Sequence, residues 1–361
     1  MLKFVLKRLG LMVLTAFALT FVVFFLTNLS PNLEKLARTE GSVRMTDASV
    51  KEWIVQNGHG GSVVGRYGQW LGALPGWTRT DEKGVMRGRC IRDGADPAFA
   101  PRYCGVIQGD WGQSTFFKAP VLESLGSKLA STGWLMLAVM LVMVPMSLLI
   151  GVLSGMREGS RLDRSLSTFS IASTATPEYV SGVILVALLA SPVVGLSPLL
   201  AEWGWIDGKT LFLGTATSAM DQITFWNFGL PVLTIALYGI GYIARMTRAS
   251  MTEVMTQQYI RTARLKGVAF GQVVMRHALR NALIAPFTVI MLQFPWLLNG
   301  VVIVETLFNY KGFGWTLVQA ASNNDINLLL GCSVVAVFVV LVTQLISDIG
   351  YVFLNPRIRL A

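Results

Sequence analysis

The stretch YIRTARLKGVAFGQVVMRHALRN, Tyr259 to Asn281, carries five Arg or Lys residues and no acid, yet it stands between two long uncharged runs, 222–244 and 281–304. A basic, glycine-broken segment placed there reads as a loop held on one side of a membrane. Working outward, the chain is 53% hydrophobic and 14% charged, well below the roughly 25% charged of a soluble domain. Further uncharged runs occupy 9–33, 129–156, 179–201 and 326–347, each reaching the roughly 20 residues that a spanning helix needs. The expectation is an all-α membrane protein with about six transmembrane helices.

Lys3, Lys7 and Arg8 give the first run the look of a secretory leader. Its apolar stretch is too long for one, and TNLSPN offers no small-x-small cleavage pattern, so it reads as a retained anchor. With the N-terminus inside, segments 1–8, 156–164, 245–280 and 354–361 hold 15 of the 30 basic residues against Glu158, Asp163 and Glu253. The outer segments balance their charges, so the net positive charge of the protein lies inside. That asymmetry accounts for the basic pI without nucleic acid as a partner. Both termini are expected in the cytoplasm of a multi-pass protein.

Residues 30–128 form an outer loop with Trp53, Trp70, Trp77 and Trp111, enough apolar surface for a small folded cap. It also holds Cys90 and Cys104, which in an oxidising compartment suggest a disulfide; two free thiols are the alternative. Cys332, alone in the sixth run, reads as a packing residue.

Catalytic chemistry is hard to assemble. His59 and His277 are the two histidines, and neither neighbours a cysteine or carboxylate at metal-ligand spacing. A Ser-His protease within the bilayer would need a histidine there. Gly208-Lys209-Thr210 suggests a phosphate loop, but that pattern needs Gly at 203, where Trp stands. No metal, no catalytic residue and no nucleotide site is expected in this chain, so transport outweighs enzymology.

The opening stretch has its own form. Met251 to Leu265 is rich in helix formers, Gly267 suits a left-handed helix cap, and the chain restarts before Gln272 toward the next span. A loop that merely anchors topology would explain the charge but not the helix–Gly–helix pattern.

RMTRASMTEVMTQQYIRTARLKGVAFGQVVMRHALRNALIAPFT, 245–288, resembles the cytoplasmic coupling loop of ABC importer permeases of the oligopeptide/dipeptide/nickel family. RYGQWLGAL (66–74), GDWGQSTFFKAPVLESLGSKL (109–129), GVLSGMREGSRLDRSLSTF (151–169), TPEYVSGV (176–183), ETLFNYKGFG (305–314) and NPRIRL (355–360) resemble other signatures of that family. Lys311 stands where Pro is usual, NNDINL (323–328) replaces a common Arg-Asp-x-Pro, and 75–108 looks like an insertion.

The resemblance implies a type I ABC importer architecture. Residues 1–30 are the N-terminal tip and first helix, 31–128 a periplasmic cap, 129–354 the permease core with coupling loop 245–281, and 355–361 a cytoplasmic tail. It implies Arg261, Thr262, Ala263, Arg264, Lys266 and Gly267 as the ATPase-coupling residues, Ala263 for close approach. It implies partners: a second homologous permease, two cytoplasmic subunits that carry ATP and Mg, a periplasmic binding protein, and lipid in a bacterial inner membrane. No cofactor is bound by this chain itself. Peptides are the commonest cargo of the family, with nickel, glutathione and opines among the others. A secondary, ion-coupled carrier is the alternative, without an inverted repeat to support it. Pro177 and Glu178 are either pathway residues, since an acid in a membrane run is a functional candidate, or a helix start with Thr176 as cap.

Overall fold

The computed structural model of the protein describes residues 2–80, 86–91 and 96–354; the tail motif 355–360 and parts of 75–108 lie outside them. Helix α1 (Leu2–Thr27) is apolar through Leu6–Thr27 and stops where Asn28 turns its side-chain amide back onto the Phe24 carbonyl, 3.0 Å away. Pro31, which lacks an N–H, opens the next helix. That helix, α2 (Ser30–Glu40), buries Leu33, Leu36 and Ala37 on one face. Helices α3 (Asp47–Gln56) and α4 (Val63–Leu71) start on side-chain caps: the Thr46 hydroxyl accepts from the Ser49 N–H, and that of Ser62 from the Gly65 N–H. A short antiparallel ribbon, β1 (Thr78–Thr80) with β2 (Met86–Gly88), follows. Then come α5 (Val121–Gly155), α6 (Arg161–Ala175), α7 (Glu178–Leu189), α8 (Leu196–Glu202), α9 (Phe225–Met255), α10 (Gln258–Leu265) and α11 (Phe270–Gln272). A π-helical segment, Val273–Ala278, leads into α12 (Leu279–Ala282), α13 (Ile284–Leu307), α14 (Phe313–Ser322) and α15 (Ile326–Leu354).

The chain forms two compact units, one running to Lys128 and including Thr316–Val339, the other comprising Leu129–Trp315 and the chain from Val340. In the first, Phe24, Tyr67 and Trp70 pack with Ile326 and Leu330. RYGQW is the part of α4 that faces α1: Tyr67 Oη shares a hydrogen bond with the Thr20 hydroxyl (2.8 Å), and Arg66 donates to Asn28 (3.0 Å). Cys90 and Cys104 are bonded to each other, with Cα atoms 5.5 Å apart. The fully buried carboxylate of Asp325 accepts from the Ser114 hydroxyl (2.6 Å) and from the N–H groups of Phe116 (3.1 Å) and Leu328 (3.0 Å). The GDWGQSTFF and NNDINL motifs therefore meet on one buried acid.

The second unit is built around α9, against which α6, α7 and α13 pack. Gly151 and Gly155, one turn apart on α5, allow that helix to touch α9: a Cβ at Gly151 would lie 2.4 Å from Thr247 Cβ, and one at Gly155 2.7 Å from the Arg248 carbonyl oxygen. Small residues that let backbones approach are a membrane substitute for the hydrophobic drive between helices. At the far end, buried Glu305 accepts from the Thr132 hydroxyl and the Trp315 N–H (2.9 Å), while Tyr310 donates to the Ser131 carbonyl (2.9 Å).

Among the described residues, four helices are long and apolar enough to cross a membrane, and counting each of two bent pairs as one span gives up to six. The third span is not the single helix expected at 179–201. Helix α7 ends at Leu189, just before Ser191-Pro192; proline disfavours helical geometry in the residue that precedes it. Its 12 residues rise only about 18 Å. It is long and apolar enough only together with α6, which meets α7 at a 110° bend over Thr176-Pro177. The fourth helix continues past the uncharged run through Arg245, Arg248 and Glu253 to Met255. A gap in charge thus marks apolar surroundings and not the end of a helix.

Candidate coupling site

Helix α9 stops at Met255 and α10 starts at Gln258, so the helix expected across 251–265 is broken at Thr256-Gln257. Within α10 the sequence sorts into two faces. Ile260 and Ala263, three residues apart, are buried and pack with Met251, Val273, Val274 and Ala278. Arg261, Thr262, Arg264, Leu265 and Lys266 are exposed, Leu265 at 81%. The small side chain of Ala263 faces the core of this loop, 7% exposed, and not an outer surface; this corrects the expectation that it meets a partner directly.

Gly267 lies at φ +78° with nothing within 4 Å of the position a Cβ would take. Its N–H donates to the Arg264 carbonyl (3.0 Å) and that of Val268 to the Ala263 carbonyl (3.2 Å), the arrangement of a left-handed helix stop. The chain then enters α11. Phe270 is covered by two guanidinium groups, Arg157 at 5.3 Å and Arg264 at 5.7 Å from the ring centre, a cation–π arrangement. Arg157 comes from the turn between α5 and α6, so that turn and α10 share one basic, partly apolar surface.

The π-helical segment was not legible from periodicity. Val273 and Ala278 are five residues apart and both fully buried, which suits a widened turn and not an α-helical one; such turns recur at functional sites. Two side-chain bonds hold the loop to its stem: Ser250 donates to the Ala282 carbonyl (2.8 Å) and Asn281 to the Tyr259 hydroxyl (2.9 Å).

A second element missed in the sequence lies behind it. Asp163, 2% exposed, accepts from Arg248 Nε (2.6 Å) and Nη2 (2.9 Å), from the Gly159 N–H (2.8 Å), and from the hydroxyls of Ser154 and Ser167. Every one of these residues lies in a quoted family motif. Sequence flagged the segments but gave no register for pairing a side chain on α9 with one on α6.

At the α6–α7 bend, α7 begins at Glu178, one residue later than a helix start with Pro177 at the first position would have it. Thr176 is not its cap: its hydroxyl donates back to the Ala172 carbonyl (2.8 Å), and Pro177 takes the N-cap position. Glu178 is half-buried and faces α13, 3.7 Å from where a Cβ on Gly300 would lie.

Comparison with known proteins bears on this arrangement. Residues 147–360, which include the α5–α6 turn and the whole of the 245–281 loop, match the family described as binding-protein-dependent transport system inner membrane component. Over nearly its full length (99% of both proteins) the chain is 32% identical to the di/tripeptide transport system permease protein DppB of Pseudomonas aeruginosa. It is 33% identical to the oligopeptide transport system permease protein AppB of Bacillus subtilis, over 70% of this chain and 77% of that one. To the glutathione transport system permease protein GsiC of Pectobacterium atrosepticum it is 31% identical, over 70% and 76%. Helices, loop and relatives agree: the chain belongs to the binding-protein-dependent transport system inner membrane components and is a multi-pass permease of the ABC importer class.

Proposed function

We propose that this permease forms half of a translocation pathway for peptides or a related small solute. The other half is a second, homologous permease. A periplasmic binding protein delivers the solute to the cap, and two cytoplasmic subunits bind ATP and Mg and hydrolyse the nucleotide. Both termini and the 245–281 loop face the cytoplasm of a bacterial inner membrane, in keeping with the basic residues concentrated there. The peptide class is supported by the names of the relatives, which carry di/tripeptide, oligopeptide and glutathione.

The observation that carries the coupling assignment is the two-faced α10. Its inner face, Ile260 and Ala263, fastens it to the loop core, while Arg261, Thr262, Arg264, Leu265 and Lys266 are presented outward beside the Gly267 stop. A short amphipathic helix of this kind fits a groove on an ATPase subunit, and a rigid-body shift there is a route from nucleotide-driven closure to the pathway. The test is Leu265→Asp, alone and with Arg261→Glu, in the assembled transporter. Copurification of the ATPase and solute-stimulated hydrolysis are expected to fall at least fivefold with membrane insertion unchanged. Full association of both variants would overturn the assignment.

A further inference from the structure

The cap unit contains a cavity of about 700 Å³, within the roughly 300–1,000 Å³ range of small-molecule sites. Phe24, Trp70, Ile326 and Leu330 give its lining apolar surface, and Trp77 and Trp111 add further rings. The same lining includes Arg66, Arg89, His59 and Asp110.

Asp110 is near enough to Arg89 to favour its charge, which leaves two arginines facing one carboxylate in this lining. Asp110 uses a carboxylate oxygen to accept from the Gly112 N–H (3.1 Å) within its own turn. Arg66 donates through Nη1 to Asn28, but its Nε is buried without a hydrogen-bond partner, as is Nε of Arg89. These two nitrogens are shielded from the cavity, so any anion there would be met by the outer, Nη side of each guanidinium. His59 stacks on Trp53, with ring centres 6.1 Å apart. Trp77 is seated by Gly58, at φ +78°, where a Cβ would lie 2.1 Å from the indole nitrogen. Backbone and side chains are thus shaped to hold the ring against the cavity.

From this geometry we propose that the cap cavity is a binding site for a carboxylate-bearing solute of peptide size, its carboxylate held by Arg66 and Arg89 and its body lying on the tryptophans. Guanidinium groups suit carboxylates because their N–H donors match the two oxygens. Peptides as probes follow the solute class proposed above. The carboxylate preference tests the cavity itself, and the outcome of the α10 experiments does not enter.

The test uses the full chain in lipid nanodiscs and isothermal titration with N-acetyl-trialanine as the free acid and as the C-terminal amide. The acid is expected to bind at least tenfold more tightly than the amide. Arg89→Met should abolish that preference, bringing the acid's affinity down to that of the amide. If Arg89→Met fails to insert, Arg66→Met carries the same expectation. Equal binding of acid and amide, no binding of either, or an acid preference that survives the arginine substitutions would each overturn the proposal.

Discussion

The side-chain amide of Asn281 donates to the hydroxyl of Tyr259 at 2.9 Å, joining the two ends of a 23-residue basic stretch into a closed loop. The bond is exposed, and a single hydrogen bond of this kind contributes only about 0.5–1.5 kcal/mol to stability. Tyr259→Phe should therefore leave the melting temperature within a few degrees of wild type yet uncouple α10 from α12. Solute-stimulated ATP hydrolysis by the assembled transporter is expected to fall two- to fivefold, and an unchanged rate would count against a coupling role for the loop closure.

Asp163 and Arg248 form a fork-shaped pair between α6 and α9. Removing one partner of a buried pair leaves the other uncompensated, at a cost of roughly 3–5 kcal/mol. The Arg248 side chain is 31% exposed, so the lower end applies. Asp163→Asn is expected to destabilise by about 3 kcal/mol in detergent unfolding, and Arg248→Met by less, since Asp163 keeps its other donors. Equal losses from the two would show that the pair acts as a unit and that the serines and Gly159 add little.

The α5–α9 contact separates packing from helix propensity. Gly155→Ala puts a methyl 2.7 Å from a backbone oxygen, whereas Gly126, on the same helix, has nothing within 4 Å. Gly155→Ala should lower yield and melting temperature, and Gly126→Ala should raise stability by about 0.5–1 kcal/mol. Circular dichroism melts of the two variants decide the matter.

The cap has a pH dependence of definite sign. Burial, followed by the nearby charges of Arg66 and Arg89, lowers the pKa of His59 from its ordinary 6.5 to about 4. The unfolded chain therefore binds the proton more readily, and stability is lost as pH falls from about 6.5 to about 4. Below about 4 this contribution is constant. His59→Gln should flatten the stability profile in that window, as read by tryptophan fluorescence.

The Cys90–Cys104 link closes a short loop, and a link of this span contributes roughly 3 kcal/mol. Maleimide labelling of unreduced, membrane-inserted protein should leave both sulfurs unmodified, with modification appearing after reduction. The double Ser variant should lose a comparable amount of cap stability; a wild-type melting curve would assign the link no structural weight.

What sequence could supply here depended on range. Long uncharged runs located the membrane helices because a bilayer enforces one simple rule over about 20 residues. The Gly267 stop was legible because a positive φ has a local cause in the missing Cβ. Ala263 was legible as a small residue that something must approach, but whether that is a partner or Val273 depends on a fold back of the chain that no local pattern states. The third span was misjudged for a related reason. Hydropathy is blind to direction, so it ran through Ser191-Pro192 and overlooked amphipathic α6, whose charges fall at its N-terminal end. Asp163–Arg248, Asp325–Ser114 and Glu305–Thr132 span 85, 211 and 173 residues respectively, and one sequence contains no register between such distant positions.

The widened turn at Val273–Ala278 has a consequence for how this loop tolerates changes in chain length. A π turn is an α turn with one residue more, and the helices on either side keep their phase as if the extra residue were absent. Deleting a residue inside 273–278 would tighten the turn to α-helical winding and leave Asn281 opposite Tyr259. The same deletion near the end of α9, between Ser250 and Met255, would rotate everything beyond it by about 100° and carry Ile260 and Ala263 away from the loop core. The segment therefore works as slack in the chain, and a single-residue deletion scan from Ser250 to Ala282, scored by transporter assembly, should find its tolerated positions there.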